Sequence, residues 1–134
     1  MALNLPFEFS YREEPRVSVR LRHRLIQVDT WATVDTGAAI SVLDAELTQA
    51  LELPSTPDRR ASVVGISGRF QHLSFWRISV TVLPEEFDLR ANLFVGFHAG
   101  LAKSTGNLLG RDFLESCHFG LVQRERRLYL GAAR

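Results

Sequence analysis

Apolar residues recur at every second position over much of this chain, and that period constrains the fold more than any other feature. Leu3, Leu5, Phe7 and Phe9 sit at spacing two, with Asn4, Glu8 and Ser10 among them. Val17, Val19 and Leu21 alternate with Ser18, Arg20 and Arg22, and a second strand is predicted from Leu25 to Val34 after a turn near His23 and Arg24. Ile78, Val80 and Val82 alternate with Ser79 and Thr81, and Arg126 to Leu130 predicts a short final strand. A period of two turns one face of each strand to a core and the other to water. Helical signals are few. In "LDAELTQALEL", Asp44 can cap a helix carrying Leu47, Ala50 and Leu51, which Pro54 stops. "GRDFLESC" fits two turns after Gly110, while Leu53 to Arg60 and Gly96 to Asn107 read as loops. The predicted class is mostly β, a single domain over residues 1–134 closing as a barrel or sandwich, with one or two short helices.

Length and charge narrow the function. The chain has 134 residues, enough for one core, and 46% are hydrophobic. Sixteen basic and 15 acidic side chains leave a net charge of +1, which gives no reason to expect nucleic acid or an anionic membrane as partner. No apolar run reaches the roughly 18 residues of a membrane span. The N-terminal "MALNLPFEFSYREEP" lacks the basic start and apolar core of a signal peptide. Cys117 is the one cysteine and has no intrachain partner for a disulfide, so a reducing, cytoplasmic setting is expected.

One segment breaks the strand pattern. In "TWATVDTGAAISVLD", an apolar strand meets Asp35, Thr36 and Gly37 and then resumes as apolar residues. Aspartate and glycine are depleted in strands. A carboxylate among buried neighbours costs several kcal/mol unless paired, hydrogen-bonded or protonated. Such a position is a turn or a site. A lone Asp-Thr-Gly arises by chance in roughly one such chain in twenty at average composition. Two further blocks raise its weight: "ASVVGISGRFQHLSF", a hairpin pattern with glycines at its tip, and "GNLLGRDFLESCHFGLV", an apolar pair, a glycine and a short amphipathic helix.

The three blocks in this order resemble the retropepsin-like aspartic peptidases, the family of the retroviral proteases and their cellular relatives. The matching span runs from about Ala32 to Leu121, and the first and third blocks are the specific ones. The resemblance implies a closed retropepsin-like β fold with a flap hairpin and makes Asp35, Thr36 and Gly37 the catalytic loop. Asp35 supplies the carboxylate, Thr36 a hydrogen bond across a subunit interface, and Gly37 room for substrate backbone. It implies substrate contacts at Ala38, at the flap tip Gly65, Ile66, Ser67 and Gly68, and at Leu108 and Leu109. Ser41, Arg111 and Asp112 become structural residues near the site. No cofactor or metal is implied. Viral members carry an acidic residue where this chain has Ala39, and their arginine pairs with it. Arg111 must therefore find another partner, with Asp112 or a main-chain carbonyl as candidates.

Aspartic peptidases place two carboxylates on one water, one as general base and one as general acid. This chain has a single Asp-Thr-Gly: "DTW" at Asp29 lacks the glycine and "STG" at Ser104 lacks the acid. A C2 homodimer acting on a peptide or protein substrate solves the shortage. The N-terminal strand and "RLYL" are the expected dimer strands. A dimerisation or peptide-binding module of the same fold, with little turnover, is the alternative, and a domain released from a longer precursor is a third.

Simpler readings hold for other residues. "DTGAAIS" also fits the first phosphate loop of actin-like ATPases, but no further nucleotide motif accompanies it. Arg20, Arg22 and Arg24 fit the solvated face of a strand. His23, His72, His98 and His118 lack metal-ligand spacing. Cys117 reads as a small core residue, and Trp31 and Trp76 as core aromatics.

Overall fold

The computed structural model describes residues 7–10, 14–64, 70–99 and 106–132. The chain is mostly strand with two short helices, as the alternation predicts. Two sheets form. The larger contains β2 (Arg16–His23), β3 (Ile26–Val34), β4 (Val42–Asp44), β5 (Arg59–Val64), β6 (Phe70–Val82), β7 (Leu89–His98) and β8 (Leu108–Leu109), in the order β2-β3-β8-β4-β7-β6-β5. β2 also pairs antiparallel with β6, so the ladder returns to the strand where it starts. The smaller sheet contains β1 (Phe7–Ser10), β9 (Cys117–Val122) and β10 (Arg127–Ala132), in the order β1-β10-β9. Helices α1 (Leu47–Ala50) and α2 (Arg111–Leu114) are one turn each.

The core follows the period of two. Val17, Val19 and Leu21 on β2, Ala32 and Val34 on β3, and Ile78, Val80 and Val82 on β6 are all buried. Leu128 and Leu130 on β10 join the same cluster from the small sheet. The β2–β3 hairpin turns at Arg24, whose φ is 56°, and leaves Leu25 fully exposed. The stripe at Arg20 and Arg22 is the water-facing side of β2. Arg20 grips Asp29 through two bonds of 2.8 and 2.9 Å and reaches Glu85 at 3.2 Å, and Arg22 also pairs with Glu85.

Several expectations need correction. The helix after Asp44 is a single turn whose N-cap is Glu46 and not Asp44; the Asp44 carboxylate accepts the Glu46 N–H at 2.9 Å in the turn that precedes it. Segment 96–98, read as loop, continues β7 and pairs with β4. Trp76 is core, donating its indole N–H to the Pro54 carbonyl at 3.0 Å, but Trp31 is 63% exposed. Trp31 lies between the inward Ala32 and outward water on a strand whose period leaves it no place inside. Cys117 is half-buried against the core, and burial pushes its thiol pKa up. β10, which holds the "RLYL" expected to pair between subunits, lies inside its own sheet with β1 on one side and β9 on the other. Both of its edges are taken within one chain. The start of the N-terminal strand at Leu3 and Leu5 and the loop from 100 to 105 lie outside the described residues.

Candidate active site

Asp35 sits where β3 ends. A buried strand carries Val34 inward, and the next residue turns out of the sheet into the Asp35-Thr36-Gly37 turn. Asp35 is half-buried, while Thr36 and Gly37 are exposed. The turn is held by its own backbone: the Gly37 N–H donates to Asp35 Oδ1 at 2.8 Å and the Ala38 N–H to the Asp35 carbonyl at 3.2 Å. A Cβ on Gly37 would stand 3.2 Å from Asp35 Oδ1, so a larger residue there presses on the carboxylate itself.

The third block fixes this turn from below. β8 runs parallel to β3, with Thr33 opposite Leu108 and Val34 opposite Leu109, and touches β4 on its other side at Val42. The Asp35 N–H donates to the Leu109 carbonyl at 2.9 Å. Leu109 is buried at 1%, so its side chain belongs to the core and only its carbonyl serves the loop; Leu108 is half-buried. Of the two leucines expected to contact substrate, only Leu108 has a face free to do so.

Gly110 then passes under the resumed chain. A Cβ there would lie 2.5 Å from the Ile40 carbonyl oxygen and 2.8 Å from that of Ala38, which no side chain tolerates. The Arg111 N–H donates to the Ala38 carbonyl at 2.8 Å. Ser41, fully buried, ties the two blocks. Its Oγ donates to Asp112 Oδ1 at 2.7 Å and accepts from the Gly110 N–H at 3.0 Å, and its N–H donates to Asp112 Oδ2 at 2.9 Å. Asp112 Oδ1 also accepts the Phe113 N–H at 2.8 Å. Asp112 is therefore committed to Ser41 and the start of α2, and not to Arg111. Arg111 is exposed and its guanidinium makes no hydrogen bond or ion pair among the described residues, so Asp112 does not hold it.

The alternation of apolar residues gave no sign of Asn107. Its Oδ1 accepts the Asp44 N–H at 2.8 Å, its Nδ2 donates to the Trp31 carbonyl at 2.9 Å, and its carbonyl accepts the Thr33 N–H at 2.9 Å. One side chain thereby joins β3 to the end of β4. The only available signal was a polar residue directly before an apolar pair. A cavity of about 390 Å³ beside it is lined by Arg16, Trp31, Thr33, Glu46 and Asn107 among others, none of them from the Asp35 turn.

The arms of the expected flap, β5 and β6, pair antiparallel from Arg59 opposite Phe75 to Val64 opposite Phe70. The tip residues Gly65, Ile66, Ser67 and Gly68 lie outside the described residues. Among the described residues no three His, Cys, Asp or Glu side chains are grouped to hold a metal ion, and no helix is long and apolar enough to cross a membrane.

A half-buried aspartate in a backbone-locked turn, pinned from below by a Gly-Arg-Asp block, defines an aspartic protease type of loop on a retropepsin-like fold. The family model described as retroviral aspartyl protease matches residues 11–122, and the chain belongs to that family. Among solved structures it is similar to a retropepsin-like aspartic protease from Rickettsia conorii, at 18% identity and a TM-score of 0.61, covering 95% of this chain and 90% of that one. A comparison with curated proteins finds no match.

Proposed function

We propose that this protein is an aspartic endopeptidase that works as a C2 homodimer, with Asp35 and its symmetry mate forming the catalytic dyad. The observation that carries this reading is the Asp35 turn itself: one carboxylate per chain, at the end of a buried strand and held by Gly37 N–H and the Leu109 carbonyl. Membership of the family supports aspartic peptidase activity. Two carboxylates about 3 Å apart repel by roughly 5 kcal/mol at an effective dielectric near 20. That is on the order of four pKa units, so the pair holds one shared proton over a wide pH range. The ionised member takes a proton from water as its oxygen attacks the scissile carbonyl carbon. The protonated member gives its proton to the carbonyl oxygen; as the tetrahedral species collapses, the first member passes the water-derived proton to the departing nitrogen and a hydroxyl of that species returns its proton to the second, which restores the dyad.

The substrate is a peptide or protein segment bound extended, as an added strand between the Asp35 turns and the β5–β6 hairpins. Leu108 and Ala38 border that cleft, and the hairpin tips at 65–68 close over it as flaps. Apolar side chains flank the cleaved bond. Neither nucleic acid nor a membrane enters this scheme, and no metal or cofactor takes part. With one cysteine per chain, a reducing, cytoplasmic location fits the reading.

The test compares the protein with Asp35→Asn on a complex peptide mixture between pH 3 and 8. Cleavage that disappears with the substitution supports the dyad. Cleavage that survives it rejects Asp35 as the catalytic group. If both proteins are folded dimers and neither cuts, a peptide-binding module replaces the peptidase.

A further inference from the structure

We infer that the β5–β6 hairpin carries an oxyanion-binding subsite, built from Arg60, Ser62, His72 and Ser74, that selects peptide substrates with an acidic side chain, carboxylate or phosphate, away from the cleaved bond. That the anion arrives on a peptide rests on the peptidase reading above; the site itself rests on the hairpin. Arg60 stands opposite Ser74 and Ser62 opposite His72, so all four share one face of the sheet. Cross-strand neighbours lie about 5 Å apart and successive pairs on one face about 7 Å apart, which frames a single carboxylate or phosphate with its hydrogen bonds. With Ala61 and Leu73, the four line a depression of about 650 Å³. Leu73 and Phe75, on the opposite parity of β6, are buried at 3% and 5% and pack against Gly96 of β7, where a Cβ would stand 3.0 Å from Leu73 and 3.1 Å from Phe75. The apolar side anchors the hairpin and leaves the polar face to solvent.

Every member of the patch is a donor. Ser62 Oγ and His72 Nδ1 are 2.8 Å apart. If the hydroxyl donates, the neutral ring keeps its proton on Nε2; if the ring donates, the hydroxyl proton is left over. In either arrangement the pair retains a donor for a ligand. Arg60 adds a guanidinium, whose planar fork matches the two oxygens of a carboxylate or phosphate, and Ser74 adds a hydroxyl. No acid in the hairpin answers them: residues 59–82 hold four arginines and no aspartate or glutamate, against twelve basic and 15 acidic side chains in the rest of the chain. Arg16, Arg20, Arg22 and Arg90 each pair with a carboxylate, whereas Arg60 makes no ion pair or side-chain hydrogen bond among the described residues. Arg59 and Arg77 lie over the Phe94 ring, 5.3 and 5.4 Å from its centroid. Asp58, the nearest acid in sequence, is taken by the Arg77 main-chain N–H at 2.9 Å.

β5 is the open edge of the large sheet, and arginine on an open edge also discourages strand pairing. That duty needs no hydroxyl or imidazole beside it, and a chain close to neutral has no general reason to place its positive charge on one hairpin. The position explains the carrier. The Ser62–His72 pair lies one same-face step, about 7 Å, behind Val64 and Phe70, the last described pair before the tip that closes over the substrate in the reading above. An extended peptide advances about 3.3 Å per residue. The side chain held here therefore lies two or more residues from the cleaved bond, which leaves apolar side chains beside the bond itself.

The test has two arms on the full chain, both at constant ionic strength. In the first, inorganic phosphate is titrated while the His72 ring resonances are followed by NMR, assigned with His72→Gln. A saturable shift is expected, with the dissociation constant raised at least tenfold in Arg60→Gln and unchanged in Arg24→Gln, an exposed arginine at the β2–β3 turn. A shift that sodium chloride reproduces, or that Arg60→Gln leaves intact, overturns the site. In the second arm, cleaved products of a peptide mixture are sequenced with and without prior phosphatase treatment. Acidic or phosphorylated residues should be enriched at least fivefold at one fixed position away from the cleaved bond, and Arg60→Gln should bring that enrichment below twofold. Enrichment that survives phosphatase names the carboxylate as the ligand, and enrichment that phosphatase abolishes names the phosphate; each supports the subsite. No enrichment in the wild type, or the same enrichment in Arg60→Gln, overturns it while the peptidase reading stands. A protein that binds phosphate through Arg60 but cuts nothing overturns the peptide carrier together with the peptidase reading. Displacement of phosphate by a short oligonucleotide, with acidic peptides inert, overturns the peptide carrier in favour of nucleic acid.

Discussion

Ser41 and Asp112, 71 residues apart, share two hydrogen bonds, one from the Ser41 N–H and one from its hydroxyl, and together they join the catalytic-type turn to the block beneath it. The same hydroxyl accepts the buried Gly110 N–H, so two polar groups, that N–H and the Asp112 carboxylate, depend on one oxygen. Removing it leaves a buried donor unmatched and a carboxylate short of one bond. Such losses cost about 1–3 kcal/mol each. Ser41→Ala is expected to destabilise the fold by about that amount, measured by urea unfolding. Because both residues belong to one network, Ser41→Ala combined with Asp112→Ala should cost clearly less than the sum of the two. Strict additivity would show that they act separately.

Two glycines near the site should respond differently to alanine. At Gly110 the new methyl meets main-chain oxygen at 2.5 Å, and main chain cannot step aside without moving the loop. Overpacking of this kind costs roughly 1–3 kcal/mol and sometimes more. Gly110→Ala should therefore lower the unfolding free energy by about 3 kcal/mol or more, measured by urea unfolding. At Gly37 the methyl meets only Asp35 Oδ1 at 3.2 Å, a side-chain atom that can shift. Gly37→Ala should leave stability close to wild type and reduce cleavage by at least tenfold. Equal stability losses in the two variants would contradict this division.

The Arg20–Asp29 pair makes a prediction about pH. Hydrogen bonding to Arg20 holds the Asp29 carboxyl below its ordinary pKa, and the Arg20 guanidinium is held above its own. A carboxyl whose folded pKa is depressed adds stability above its unfolded pKa and loses that stability as pH falls through the folded value. Asp29→Asn should thus be slightly less stable than wild type at pH 7, with the gap closing below the ordinary carboxylate range. The pair is exposed, so 1 M salt should also shrink the gap. A gap that widens in acid would reverse the assignment.

Much of this was legible because burial and period agree. Val17, Val19, Leu21, Ile78, Val80 and Val82 were readable as core since a half-buried strand sorts residues by parity, and the structure buries every one of them. The blocks around Asp35 and Gly110 were readable because close backbone approach restricts which residues fit. Asn107 was not readable, since its bonds to Asp44 and Trp31 join strands far apart in sequence and leave no local pattern. An Arg111–Asp112 pair does not form, because the competing claim of Ser41 on the Asp112 carboxylate is a tertiary fact. Trp31 departs from the core expected of its residue type for another reason: parity on β3 outweighs residue type, and its neighbour Ala32 occupies the inward position.

The two tryptophans offer a direct optical check of that last point. Trp76 is 8% exposed, stacks edge-on against Phe97 with ring centroids 5.4 Å apart, and donates its indole N–H to Pro54. Trp31 shows most of its surface to water from the outer face of β3. In Trp31→Phe, the remaining Trp76 fluorescence should be blue-shifted and poorly quenched by iodide. In Trp76→Phe, the remaining Trp31 should emit near the wavelength of free indole in water and be quenched efficiently. Stability should divide the same way. Trp31→Phe touches an exposed position and should stay within about 0.5 kcal/mol of wild type. Trp76→Phe removes buried surface and leaves the Pro54 carbonyl without its donor, a combination expected to cost at least about 2 kcal/mol. Matching quenching constants in the two variants would mean that Trp31 is covered in solution. Because β3 leads straight into the Asp35 turn, its loss of exposure with rising concentration would place it against the second chain.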